Sequence, residues 1–179
     1  MKGGGSPRTT TLRWMDNDAR QEAQEKLLDS VEHNLAAQVR LLGNVAQLPQ
    51  ARRMLRLSSG LLPFYSHPKV AAFYQTPSVM TRLQTLFAAI GDAARQGDIR
   101  VSFHPGQFCV LGSDRPDVVE NSLAEFEYHA DMIRMMGYGR RFHDLKCNIH
   151  IAGRLGAQRL RAVWPRVSGV VRPCLAGRH

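Results

Sequence analysis

The chain has 179 residues, 44% of them hydrophobic and 22% charged, enough for one globular domain with a real apolar core and unlike a disordered or fibrous chain. No apolar run approaches the ~20 residues needed to span a bilayer, and MKGGGSPRTTT at the start lacks the apolar centre of a signal peptide. The net charge of +9 and isoelectric point near 10.2 favour polyanionic partners, nucleic acid above all.

Residues 1–7 read as a flexible segment. Asp16 or Asn17 is placed to cap a long helix from about Asp18 to Gln47, with Leu28, Val31, Leu35, Val39 and Leu42 along one side. A strand is expected over 53–58, centred on Met54-Leu55-Arg56-Leu57. The stretch from Ser58 to Pro77, punctuated by Gly60, Pro63, Pro68 and Pro77, reads mostly as loop. A second helix follows over Ser78 to Gln96, facing inward through Met80, Leu83, Phe87 and Ile90, and Gly97 ends it.

Ile99 to Phe103 is the next strand, closed by His104-Pro105-Gly106. Asp114 is the expected cap of a third helix, with Pro116 and Asp117 in its first turn and its end at Met136-Gly137. Leu145 to Ile151 reads as a third strand, and a fourth helix is expected to run through Ala162 to Trp164. Strands alternate with helices and no hairpin signal intervenes, which argues for parallel β/α units. Such units build a piece of a (β/α)8 barrel or a small doubly wound sheet. Neither GxGxxG nor GxxxxGK[ST] occurs, so dinucleotide and P-loop chemistry have no support.

Three histidines follow three strands: His67 in the loop after the first, His104 at the end of the second, His150 at the end of the third. In a parallel barrel those ends face one mouth, where three imidazoles can share a metal cluster. A lone histidine there is more often a hydrogen-bonded structural group. His33 and His129, within helices, and His143, in the basic turn Arg140-Arg141-Phe142-His143, read as surface or packing residues. Glu120, Glu125 and Glu127 belong on the outer helix and are poor ligands. No acidic residue ends a strand, although a hydrolytic cluster normally includes carboxylates. Cys109, Cys147 and Cys174 form no CxxC pair or disulfide pattern, which suits a reducing cytoplasm.

RVSFHPGQFCVLGS, the helix VVENSLAEFEYHADMIRMMG, and KCNIHIAG together resemble the UV damage endonucleases, the UvdE or UvsE family. LRLSSGLLPFYSHP, with its Ser-Ser pair and Ser-His-Pro, and the helix around His33-Asn34-Leu35 extend the resemblance over roughly residues 8–168. It implies a partial TIM barrel of the endonuclease IV-like type and a divalent metal cluster, manganese. It also implies cutting of damaged double-stranded DNA immediately 5′ to ultraviolet photoproducts, at the start of excision repair. By motif, His67, His104 and His150 match metal-site histidines, His104 and His150 being the catalytic pair, while Gln107 and Phe108 match a Gln-aromatic pair that probes the lesion. Stacking and gap filling are chemistry those two side chains can supply, and a deformable lesion is cheaper to open than intact duplex. Packing beneath the loop is the plainer reading of Phe108. Arg56 and Lys146 suit phosphate contact, or equally a solvated or salt-bridged place.

Two departures stand out. MKGGGSP occupies the place of the family's opening strand, and GVVRPCLAGRH, residues 169–179, has no acidic residue and no strand-helix pattern. The expected organisation is a partial barrel over 8–168 and a divergent tail, from an apparently truncated or frameshifted chain. A non-catalytic remnant that binds DNA or metal is the alternative. A metal-dependent sugar isomerase barrel is a third reading, disfavoured by the basic charge and the Gln-Phe pair. No membrane and no obligate protein partner are expected.

Overall fold

The computed structural model describes Arg8 and residues 20–106, 109–139 and 145–148. In chain order these form α1 (Arg20–Ala46), a single 3-10 turn (Gln50–Arg52), β1 (Met54–Arg56), α2 (Pro68–Tyr74), α3 (Pro77–Gln96), β2 (Arg100–Phe103), α4 (Pro116–Met135) and β3 (Lys146–Cys147). The three strands make one sheet in the order β1-β2-β3, parallel throughout, with Leu55 opposite Val101 and Phe103 opposite Cys147. The β/α alternation expected from the sequence is therefore the architecture found.

Strand alternation gives the sheet two unlike faces. Val101 and Phe103 are buried and Leu55 is partly so; with Leu27, Leu35, Leu83, Phe87 and Met132 of the helices they form one continuous core. The opposite face carries Met54, 58% exposed, together with exposed Arg56, Arg100 and Lys146. Arg56 stands opposite Ser102, and Ser102 opposite Lys146, so two cations flank a hydroxyl in one row. An open groove of about 490 Å³ runs over this face.

The inward stripe of α3 is Val79, Leu83, Phe87 and Ile90, so Val79 replaces the expected Met80 at its start. Helix α2 falls in the stretch read as loop. Pro68 stands at its first turn, where its missing N–H is no loss, and His67 is the N-cap. At α4 the N-cap is Arg115 rather than Asp114, and no side chain caps it. Gly137 then adopts φ +76°, as a residue ending a helix in the left-handed region does. The expected cap at Asp16 or Asn17, the far part of the third strand and the fourth helix lie outside the described residues.

Asn34, 1% exposed, satisfies its side-chain amide on the backbone of Arg8 and Leu61. Its Oδ1 accepts from the Arg8 N–H at 2.6 Å, and its Nδ2 donates to the Arg8 carbonyl at 3.0 Å and the Leu61 carbonyl at 3.4 Å. A buried amide thus ties residue 8 and the loop after β1 to the centre of α1.

Candidate active site at the carboxyl edge of the sheet

Beyond its last paired residues, each strand continues in the same direction. The Leu57 N–H donates to the Ser102 carbonyl at 2.9 Å, and the Asn148 N–H to the Phe103 carbonyl at 3.0 Å. Ser58-Ser59, His104 and Asn148 are thereby delivered to one edge. Gln107, Phe108 and His150 lie outside the described residues, so of the expected site residues His67 and His104 are placed.

His104 follows β2 directly and is half-buried. Its carbonyl accepts a 2.7 Å hydrogen bond from the Ser59 hydroxyl, which links the ends of β1 and β2 across 45 residues of sequence. Ser59 is itself held twice by α4. Tyr128 Oη donates to the Ser59 carbonyl at 2.8 Å, and His129 Nε2 lies 3.0 Å from Ser59 Oγ. Tyr128 Oη also accepts the Leu62 N–H at 3.1 Å, so a phenol fully inside the core leaves neither role unmet.

His129 is 1% exposed, with Phe103 and Tyr128 in edge-to-face contact at 5.6 and 5.0 Å. Its Nδ1 lies 2.7 Å from the Glu125 carbonyl. A carbonyl only accepts, so Nδ1 carries a proton and a neutral ring presents its lone pair from Nε2 toward Ser59. The single Ser59 proton then has two acceptors, His129 Nε2 and the His104 carbonyl. Burial holds the His129 ring below the ordinary imidazole range, opposed by its bond to the Glu125 carbonyl. Burial also raises the Glu125 carboxyl, whose Oε1 stands 3.7 Å from His129 Nδ1. The reading of His129 as a packing residue therefore holds, with a polar function added. Glu125, expected outside, turns toward the core instead.

The chain leaving His104 is fixed again where it returns. The Cys109 N–H closes a turn onto the Gly106 carbonyl at 3.0 Å, and Cys109 and Leu111 pack on Phe126 of α4. Ser122 Oγ accepts the Val110 N–H at 2.8 Å and donates to the Val118 carbonyl at 2.6 Å. Burial, helped by the nearby Glu125 charge, pushes the Cys109 thiol up to about 11, which keeps it protonated.

His67 has a structural duty. Its Nδ1 accepts the Lys69 N–H at 3.2 Å, capping α2, and the preceding turn places Phe64 at φ 58°. With the lone pair used there, the proton of a neutral ring sits on Nε2. A cation at Nε2 requires the other tautomer and the loss of the cap. Among the described residues, no group of three or more His, Cys, Asp or Glu stands close enough to hold a metal ion. The imidazole of His104 at a strand end suits a borderline divalent cation. The described strand ends add no carboxylate to it.

Sequence reasoning passed over Ser59, Tyr128 and His129. The available signal was polar residues on the apolar side of a helix: Ser122, Phe126, His129 and Met132 recur at helical spacing, and all four are buried.

A parallel sheet backed by helices defines an α/β protein, and the hydroxyl and imidazole groups gathered past its carboxyl edge make that edge the candidate site. The family model described as UV-endonuclease UvdE matches residues 3–163, and the chain belongs to that family. A UV DNA damage endonuclease of Bacillus cereus (strain 03BB102) is 30% identical over 151 residues, covering 83% of this chain and 44% of its own. The corresponding protein of Bacillus mycoides (strain KBAB4) is 32% identical over 139 residues, with 76% and 40% covered. Among solved structures, "Crystal Structure of SacUVDE" aligns at TM-score 0.68 and 27% identity, over 95% of this chain and 52% of that one. The chain thus spans about half the length of these relatives. No helix among the described residues is long and apolar enough to cross a membrane.

Proposed function

We propose that this chain forms part of a metal-dependent DNA repair endonuclease that nicks the backbone 5′ to ultraviolet photoproducts. The observation that carries the reading is the parallel β1-β2-β3 sheet, with His104 at its carboxyl edge, in a chain of the UvdE family. In this reading the sheet is a segment of a TIM barrel, and the protein works in the cytoplasm. His67, His104 and His150 would hold divalent cations, manganese by preference. Such a cation supplies Lewis-acid charge and an acidified water. Gln107 and Phe108, which follow His104-Pro105-Gly106 in the sequence, would enter the distorted duplex. An aromatic stacked on an exposed base contributes about 1–3 kcal/mol.

The test is binding by the 179-residue chain to one duplex, intact or irradiated. Tighter binding to irradiated DNA, lost in Gln107→Ala and Phe108→Ala, is expected. Equal affinity for the two duplexes would sink the reading.

A further inference from the structure

We propose that Ser59 and His129 are positioning residues for His104: α4 holds Ser59, and the Ser59 hydroxyl fixes the backbone from which the His104 imidazole is presented. The inference rests on the reading of His104 as a metal-site residue and adds two residues to it that do not touch substrate.

Consecutive residues of α4 take the two polar atoms of Ser59 that lie beyond its own N–H. Tyr128 Oη donates to the carbonyl at 2.8 Å, and His129 Nε2 lies 3.0 Å from Oγ, sharing that hydroxyl's one proton with the His104 carbonyl. Two successive helical positions point about 100° apart, so Ser59 is gripped from two directions. The 2.7 Å bond from Ser59 to the His104 carbonyl then transmits that grip to β2. His129 is anchored in turn by the Glu125 carbonyl at 2.7 Å and by Phe103, the residue just before His104. The stretch after β2 is therefore fixed by a relay spanning the β1 end, the β2 end and α4. The paired residues of β2 run to Phe103, the residue before His104.

The experiment uses the full 179-residue chain, labelled for NMR, with Ser59→Ala, Ser59→Thr and His129→Gln. Without metal, Ser59→Ala and His129→Gln are expected to shift the His104 carbonyl carbon and ring resonances, while Ser59→Thr keeps them near wild type. Mn2+ is then titrated, and broadening of the His104 ring signal reports its occupancy. Loss of the relay is expected to weaken Mn2+ binding roughly 10–100-fold, as removal of groups behind a metal ligand does, and the threonine variant to restore it. A role confined to stability would lower the melting temperature and leave His104 resonances and Mn2+ affinity below melting untouched. Unchanged His104 resonances in Ser59→Ala overturn the inference, as does equal Mn2+ affinity in all variants. If wild type shows no Mn2+ broadening at His104, the metal reading fails by itself, and the metal-free shifts still decide whether the relay positions His104.

Discussion

At the residue scale, the most informative side chain is His129. A buried neutral imidazole makes stability depend on pH with a definite sign. Its folded pKa lies below the ordinary 6.5, with desolvation the main cause. Its contribution is complete above 6.5 and is lost as pH falls from there toward the folded value, at up to about 1.4 kcal/mol per pH unit. Glu125 runs the other way: with its carboxyl raised by burial above the ordinary 4.5, its contribution is complete below 4.5 and lost as pH rises through the folded value. Total stability mixes the two, so the difference between wild type and His129→Gln isolates the ring. That difference, measured by urea unfolding, is expected to shrink between pH 7 and pH 5. A constant difference over that range would contradict a depressed imidazole. The sequence showed that His129 lies on a helix; which strand loop comes to rest against it, 70 residues away at Ser59, is a tertiary fact that helical spacing does not carry.

At the element scale, what was legible was the order and type of elements, because apolar periodicity is a local property. Helix α2 was missed for a physical reason. Seven residues give too short a periodic signal, and the proline read as a stop stands at the first turn, where proline is accepted. The same helix separates two roles for His67. Asparagine is a strong N-cap, so His67→Asn is expected to keep the unfolding free energy within about 0.5 kcal/mol of wild type while weakening Mn2+ binding. A Mn2+ titration equal to wild type would leave His67 with its capping duty alone. The pairing of α3 with α4 makes a second demand. A Cβ on Gly91 would overlap the Met136 carbonyl oxygen, well inside van der Waals contact, so the backbone there must shift, and Arg95 Nη1 already donates to that oxygen at 2.9 Å. Alanine is the better helix former by about 1 kcal/mol. Even so, Gly91→Ala is expected to destabilise by about 1–3 kcal/mol, because the obstructing atom is backbone. Urea unfolding of that single variant measures the balance, and a gain in stability would mean that α4 yields.

At the scale of the whole molecule, charge decides more than any single contact. The exposed sheet face carries Arg56, Arg100 and Lys146 in a chain with net charge +9. Each lysine or arginine that neutralises a DNA phosphate releases a counterion, so the logarithm of affinity falls linearly with the logarithm of salt concentration. Duplex binding by this chain is expected to weaken steadily from 50 to 200 mM salt, by about 0.9 log units per log unit of salt for each phosphate neutralised. Arg56→Gln and Arg100→Gln, made together, separate the sheet face from the remaining basic surface. If that face touches phosphate, the double variant has a slope smaller in magnitude by about two such contacts. A lesion read through deformability rather than charge adds a term that does not depend on salt. The slopes for intact and irradiated duplex are therefore expected to be parallel, displaced by a constant. Parallel lines that coincide would leave this chain an electrostatic DNA binder, and an unchanged slope in the double variant would place the contact elsewhere than the sheet.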